Sequence, residues 1–248
     1  MELKGLRRRQ PVRHYRRTAL VMPISMSSVE AAGQRHPGSV GTLSGRPARS
    51  SPPRSVFRSR IEALVPELEC LREQFEQVAA EATALASGLR DDQFAWRPTE
   101  GAWSVGECLA HLNAAATLCL PKLDDGIAEG VRHGAYADGP FRYSWLDRLT
   151  VRLAEPSSRV RIGSPDAFLP ATGGSCEQVL SAFREFQVQF IARLHRANGL
   201  DLVRARVASP VSAWRRFSLG AGFALIAAHQ RRHLAQARKI IGLPQFPR

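Results

Sequence analysis

Three of the seven histidines in this 248-residue chain have the type and spacing of metal ligands. His229 and His233 occur as His-Gln-Arg-Arg-His. On a helix this spacing puts the two imidazoles about one turn apart on the same face, where they can chelate one divalent ion. His111 stands alone much earlier in the chain, seven residues after Ser104. Three neutral imidazoles facing one point leave a coordination position open, which is the composition of a catalytic rather than a closed structural site. The motif is not the zincin signature, because Gln230 occupies the position of that signature's glutamate base. Histidines at this spacing also arise by chance on surfaces and in satisfied cores, and spacing alone leaves that alternative open.

The elements that must position these residues are helical. Ile61, Leu64, Val65, Leu68, Leu71, Phe75, Val78, Ala82 and Leu85 fall in steps of three and four, which predicts a first helix from soon after Phe57 to about Gly88. Residues 91–103, with Trp96, Pro98, Gly101 and Trp103, read as a loop. Ser104 and Glu107 have capping-box spacing and open a second helix, which carries Val105, Leu109, Leu112, Ala116 and Leu120. Pro121 is expected to kink this helix or end its first half, with a continuation to about Gly130. A long connection over about 131–175 has room for a short helix around 143–153. The third helix runs from Ser175 to Gly199, and 200–216 reads as another loop. The fourth helix runs from Ser218 to just before Gly242. No strand alternation stands out.

The expected fold is therefore all-α, a four-helix bundle with a long crossover between helices 2 and 3. His111 lies roughly 10 Å from the start of the second helix, and His233 roughly 12 Å from the end of the fourth. If those helices are antiparallel, the three histidines meet at one level.

The net charge of +13 suggests nucleic acid, but its distribution does not. Residues 1–60 hold 13 Lys and Arg against Glu2 and Glu30, so they account for +11, and the remainder is nearly neutral. A folded domain that reads phosphates should carry the basic surface itself. Residues 1–55, rich in Arg, Ser and Pro, read as a disordered segment before a helical domain over 56–248. Three origins for that segment stand open. Translation begins later, at Met22, Met26 or elsewhere within the tail; or the segment is a basic arm for nucleic acid or anionic lipid; or it is a targeting peptide, for which Arg16-Arg17 and the short apolar run after it are a poor twin-arginine match. No apolar run approaches the ~18 residues of a membrane span. The four scattered cysteines do not form a disulfide framework and point weakly to a reducing, cytoplasmic setting.

Other residues are secondary candidates. Glu107, one turn before His111, can orient a ligand histidine or act as a base, and its cap role competes with both. Gln236, just after His233, can hydrogen-bond a metal-bound group. Cys108 and Cys119 are possible ligands but more commonly small buried apolar residues. Trp103, Trp145 and Trp214 are pocket-wall or packing residues. Arg231 and Arg232 are expected to point away from the histidines into solvent.

The stretch from Trp96 through Gly101, Trp103, Ser104 and Glu107 to His111-Leu112 resembles the start of the second helix in the DinB-like superfamily. His229-Gln-Arg-Arg-His233-Leu-Ala-Gln236-Ala resembles the last-helix motif of the same superfamily, and Pro165…Phe168-Leu-Pro170 resembles a crossover segment. The resemblance spans roughly residues 57–245. It implies a four-helix bundle holding zinc or nickel through His111, His229 and His233. Members with known activity include transferases and isomerases that use a low-molecular-weight thiol. The resemblance thus suggests a metal-dependent transferase acting on a small thiol and an electrophile. The alternatives are a metal-dependent hydrolase and a non-catalytic metal or small-ligand binder. For the folded domain no nucleic-acid or membrane partner is expected, and a homodimer is compatible with such bundles.

Overall fold

The computed structural model describes residues 63–158 and 174–248. The basic leading segment and the Pro165–Pro170 phrase lie outside the described residues.

Four long helices carry the domain. They are α1 (Pro66–Ala86), α3 (Val105–Arg132), α5 (Cys176–Ala197) and α6 (Leu219–Ile241). Their ends follow local chemistry. Pro66 occupies the first turn of α1, where its missing N–H has no partner to lose. Ser104 with Glu107 and Ser175 with Gln178 form capping boxes, and Gly242 follows the last residue of α6. Pro121 does not end α3, which continues through it for 28 residues. Pro121 and Thr117, whose carbonyl loses its helical donor, are both exposed, so water can take the orphaned group.

Each long helix packs on two others. α1 and α3 both contact α5 and α6 and lie diagonally opposed. The interior divides into two apolar clusters. One holds Phe75, Leu120, Phe190 and Phe223, with Phe75 and Phe190 stacked at 5.2 Å. The other holds Val78, Leu109, Phe183 and Leu234. On α6 the residues between Ala227 of the first cluster and Leu234 of the second include His229 and His233.

Among the described residues, three shorter elements join these helices. Residues 91–95, expected as loop, form a one-turn helix α2 (Asp91–Ala95) that seats Phe94 in the second cluster. The crossover carries α4 (Trp145–Ala154), close to the expected short helix. Residues 200–216, expected as irregular, instead contain most of an antiparallel hairpin. It pairs β1 (Arg206–Ser209) with β2 (Ser212–Ser218), Val207 opposite Phe217. Val207 and Phe217 are the buried apolar residues described in these strands, too few for a legible alternation, and tertiary contact supplies the rest. A Cβ on Gly126 would lie 2.8 Å from the Arg206 carbonyl oxygen, and one on Gly222 would lie 2.5 Å from a Val207 methyl. The absence of side chains at these glycines lets the hairpin lie against both helices. It touches α3 near its end and α6 near its start, so the two helices run antiparallel.

Arg231 and Arg232 are not solvated as expected. Arg231 reaches Glu155 at 3.2 Å and Gln74 at 2.6 Å, and Arg232 donates to the Leu153 carbonyl at 2.9 Å. They pin the end of α4 to α6. At the other end of α4, Asp147 is buried and accepts a hydrogen bond from Ser218 Oγ at 3.1 Å.

Candidate metal centre

The site begins with the cap of α3. Ser104 Oγ accepts from the Glu107 N–H at 3.1 Å, and Glu107 Oε2 accepts from the Ser104 N–H at 2.9 Å. This exchange fixes where the helix starts. Two turns later it delivers His111, only 2% exposed, to the face turned toward α6. There the i, i+4 pair awaits it. His111 Nε2 lies 3.2 Å from His229 Nε2, and His233 Nε2 lies 3.1 Å from that same atom. The three ligand nitrogens lie within 4.8 Å of one another, the one such group of histidine, cysteine or carboxylate among the described residues.

Hydrogen bonds among the rings cannot satisfy this arrangement. His229 Nε2 faces both neighbours. Protonated, it donates to one ring and shows the other no lone pair; unprotonated, it gives two N–H groups a single lone pair to share. A cation answers all three lone pairs at once. Nitrogens bound tetrahedrally at 2.0–2.1 Å sit about 3.3 Å apart, close to the two separations observed. The residues present therefore fit a divalent metal.

Electrostatics favour the same state. Burial, then His111 and Arg232, hold the His229 ring down to about 4. Burial, then the other two histidines and Arg232, push His233 lower still, while Gln236 works against that shift. Rings held neutral at pH 7 have lone pairs to offer. Unfolded, they titrate near 6.5. The unfolded chain thus binds more protons between pH 6.5 and 4. The stability contributed by the neutral rings is full above that window and is lost as pH falls through it. Urea unfolding of metal-free protein should show a loss of about 3 kcal/mol from His229 alone between pH 6.5 and 4. The loss should shrink in His229→Gln.

Trp103, immediately before the cap, covers one side of the cluster. Its ring centroid lies 4.8 Å from that of His111 and 5.6 Å from that of His233, nearly parallel to the latter. Trp145 and Trp214, the other possible wall residues, are 69% and 95% exposed and belong to the outer surface. Glu107 directs its carboxylate to the Ser104 N–H and to Arg97, whose Nε lies 2.8 Å from Oε2. Partial burial opposes the shift, but Arg97 and Ser104 hold this carboxyl below the usual range. The contacts of Glu107 thus run to the cap and Arg97 rather than to the histidines. Burial pushes the thiols of Cys108 and Cys119 up to about 12, and neither joins the ligand group.

The sequence reading assigned no role to two buried residues, naming Gln230 only as the substitute for a glutamate base. Gln187 and Gln230 are each 2% exposed in the bundle interior, between the two clusters. Their signal was an amide standing where the apolar stripe of a helix calls for a hydrocarbon.

A family model for the DinB superfamily matches residues 74–237, most of the folded domain and all three histidines. The chain belongs to the DinB superfamily. No curated protein and no solved structure matches it. The capped start of α3 and the His229–Ala237 stretch, which carried the resemblance, are in this DinB-superfamily protein the two segments that meet at the cluster. Membership agrees with the all-α bundle and with a metal-binding role for the cluster, but a shared fold does not name a reaction. No helix among the described residues is long and apolar enough to cross a membrane.

Proposed function

We propose that this DinB-superfamily protein is a divalent-metal enzyme that transfers a low-molecular-weight thiol to a small electrophile. One observation carries the reading: three imidazole Nε2 atoms from two helices converge, with His229 and His233 held uncharged. His111, His229 and His233 hold the ion, with zinc and nickel as the candidates. A bound divalent ion with an open position lowers the pKa of a thiol and makes thiolate available at neutral pH.

The remaining work belongs to the chain. His229 and His233 are only partly buried, so the cluster is not wholly enclosed. Trp103 offers a flat apolar wall for the carbon skeleton of a reactant. Gln236 offers an amide beside His233 for a polar end. Glu107 and Arg97 hold the cap that places Trp103. A cytoplasmic setting suits a thiol substrate, and the four cysteines are free.

Elemental analysis of purified protein, followed by turnover of an electrophile panel with and without added thiols, tests the reading. Stoichiometric metal and thiol-dependent product are expected. Product formed without thiol would replace transfer with hydrolysis. Metal without turnover would leave a binding protein, and no metal would remove the centre.

A further inference from the structure

We propose that the cleft between α1, α4 and α6 is a second ligand site, which takes a primary ammonium group on a short hydrocarbon body. The cleft has a volume of about 460 Å³, and none of the three clustered histidines lines it. It meets α6 at Gly220, Ala221 and Ala224, and Ala224 lies five residues before His229, roughly 7 Å of helical rise. The inference therefore stands apart from the metal-centre reading. One end of the cleft is acidic. Asp147, in the first turn of α4, is only 5% exposed, and Glu67 lines the cleft from the first turn of α1. Both carboxylates act on Tyr143: burial, then Glu67, Asp147 and Asp201, push its phenol up, so it stays an O–H at neutral pH. That hydroxyl rests over the start of α6, where a Cβ on Gly220 would collide with it.

The acidic end has no cation of its own. Asp147 accepts a hydrogen bond from Ser218 Oγ at 3.1 Å, whereas a carboxylate has about four acceptor positions. Among the described residues neither Asp147 nor Glu67 is in an ion pair. Arg231 is taken by Glu155 and Gln74, which line the cleft elsewhere. Arg148 and Arg152 also line it, but both are exposed, and water and salt screen their charge. A carboxylate held out of water calls for a cation that also donates hydrogen bonds. A divalent metal does not answer, because the histidine trio is the one group of three metal-ligating side chains among the described residues. A primary ammonium has three N–H donors, one each for Asp147, Glu67 and the Tyr143 oxygen. Leu71, Val151 and Ala224 offer apolar surface to the hydrocarbon attached to it. Both carboxylates also stand in first turns of helices, where negative charge is favoured without any ligand. The two roles differ in what substitutions do to binding.

The test titrates the full-length chain with hexylamine, and with 1-hexanol as its uncharged counterpart, and follows backbone amide signals by NMR at pH 7. Hexylamine is expected to cause saturable shifts that cluster around Tyr143, Asp147 and Gly220, and to bind at least tenfold more tightly than 1-hexanol. Asp147→Asn and Glu67→Gln, with helicity checked by circular dichroism, should each weaken hexylamine about tenfold or more, the scale of a hydrogen bond to a charged group, and leave 1-hexanol within twofold. A purely structural role for the carboxylates predicts no such difference between the two probes. Glu73→Gln, at an exposed acid of α1 outside the cleft, should change nothing; an equal loss there would reveal a general attraction of amines to the acidic surface and overturn the site. If Asp147→Asn does not fold, Glu67→Gln, at a half-buried residue, is read alone. Shifts scattered over the surface, equal binding of the two probes, or hexylamine affinity within twofold of wild type in the folded cleft variants overturns the proposal. Titrations of zinc-loaded and metal-free protein should agree. Hexylamine that binds only the loaded form is a metal ligand and refutes the cleft, whereas a chain that takes up no zinc refutes the metal centre and leaves the cleft to be decided by the metal-free titration.

Discussion

Protein carrying His233→Ala is expected to retain its helicity and lose its metal. Removing an outer hydrogen-bond partner of a metal-bound histidine typically costs 10- to 100-fold in affinity, and removing the ligand itself should cost more than 100-fold. The same loss is expected for His111→Ala, although the two histidines stand on different helices and are 122 positions apart in the chain. Equal losses at such distant positions are a signature of one shared ion. His133→Ala, at an exposed residue capping the end of α3, should leave metal content unchanged. Metal stoichiometry of the purified variants, with far-ultraviolet circular dichroism as the folding control, decides the matter. Full metal in His111→Ala together with none in His233→Ala would reduce the site to a two-histidine chelate on α6.

The experiment has a clear target because much of the centre was legible before any coordinates. The i, i+4 spacing named the pair, and the capping box at Ser104 and Glu107 set the start of α3. Counting helical rise from that cap put His111 at the height of His233. Helix ends and periodicity are local properties, so sequence reports them well. Most of the misses were matters of which neighbour a face meets. Val207 and Phe217 form a hairpin because Gly126 and Gly222 leave space for it, and those glycines lie far from it in the chain. Arg231 and Arg232 looked solvent-facing because they point away from the histidine face of α6, but α4 packs against them and uses them. Trp145 and Trp214 looked like anchors by size, yet both lie on the outside. Gln187 and Gln230 were hidden differently, because a single amide in an apolar stripe is a weak signal that leaves the helical pattern intact.

The largest change in stability is expected from Phe190→Ala, and it should depend on metal. Phe190 is fully buried and stacks on Phe75 at an interplanar angle of 13°, joining α5 to α1 in the first cluster. Truncating a buried phenylalanine typically costs 3–5 kcal/mol, from lost transfer energy and the cavity left behind. The histidines belong to α3 and α6, and the hairpin ties those helices together without help from α5. The variant should therefore keep near-wild-type metal affinity while its metal-free form unfolds at much lower urea. Because the ion binds the folded state, free metal at about 1,000 times the dissociation constant adds about 4 kcal/mol of stability. That is the size of the deficit. Metal-loaded Phe190→Ala should then unfold near the urea midpoint of metal-free wild type, and the double change Phe190→Ala with His233→Ala should gain nothing from added metal. A variant whose affinity fell along with its stability would show that α5 shapes the centre. In that case Gln187, on the same helix one turn before Phe190, would be the first residue through which to trace the coupling.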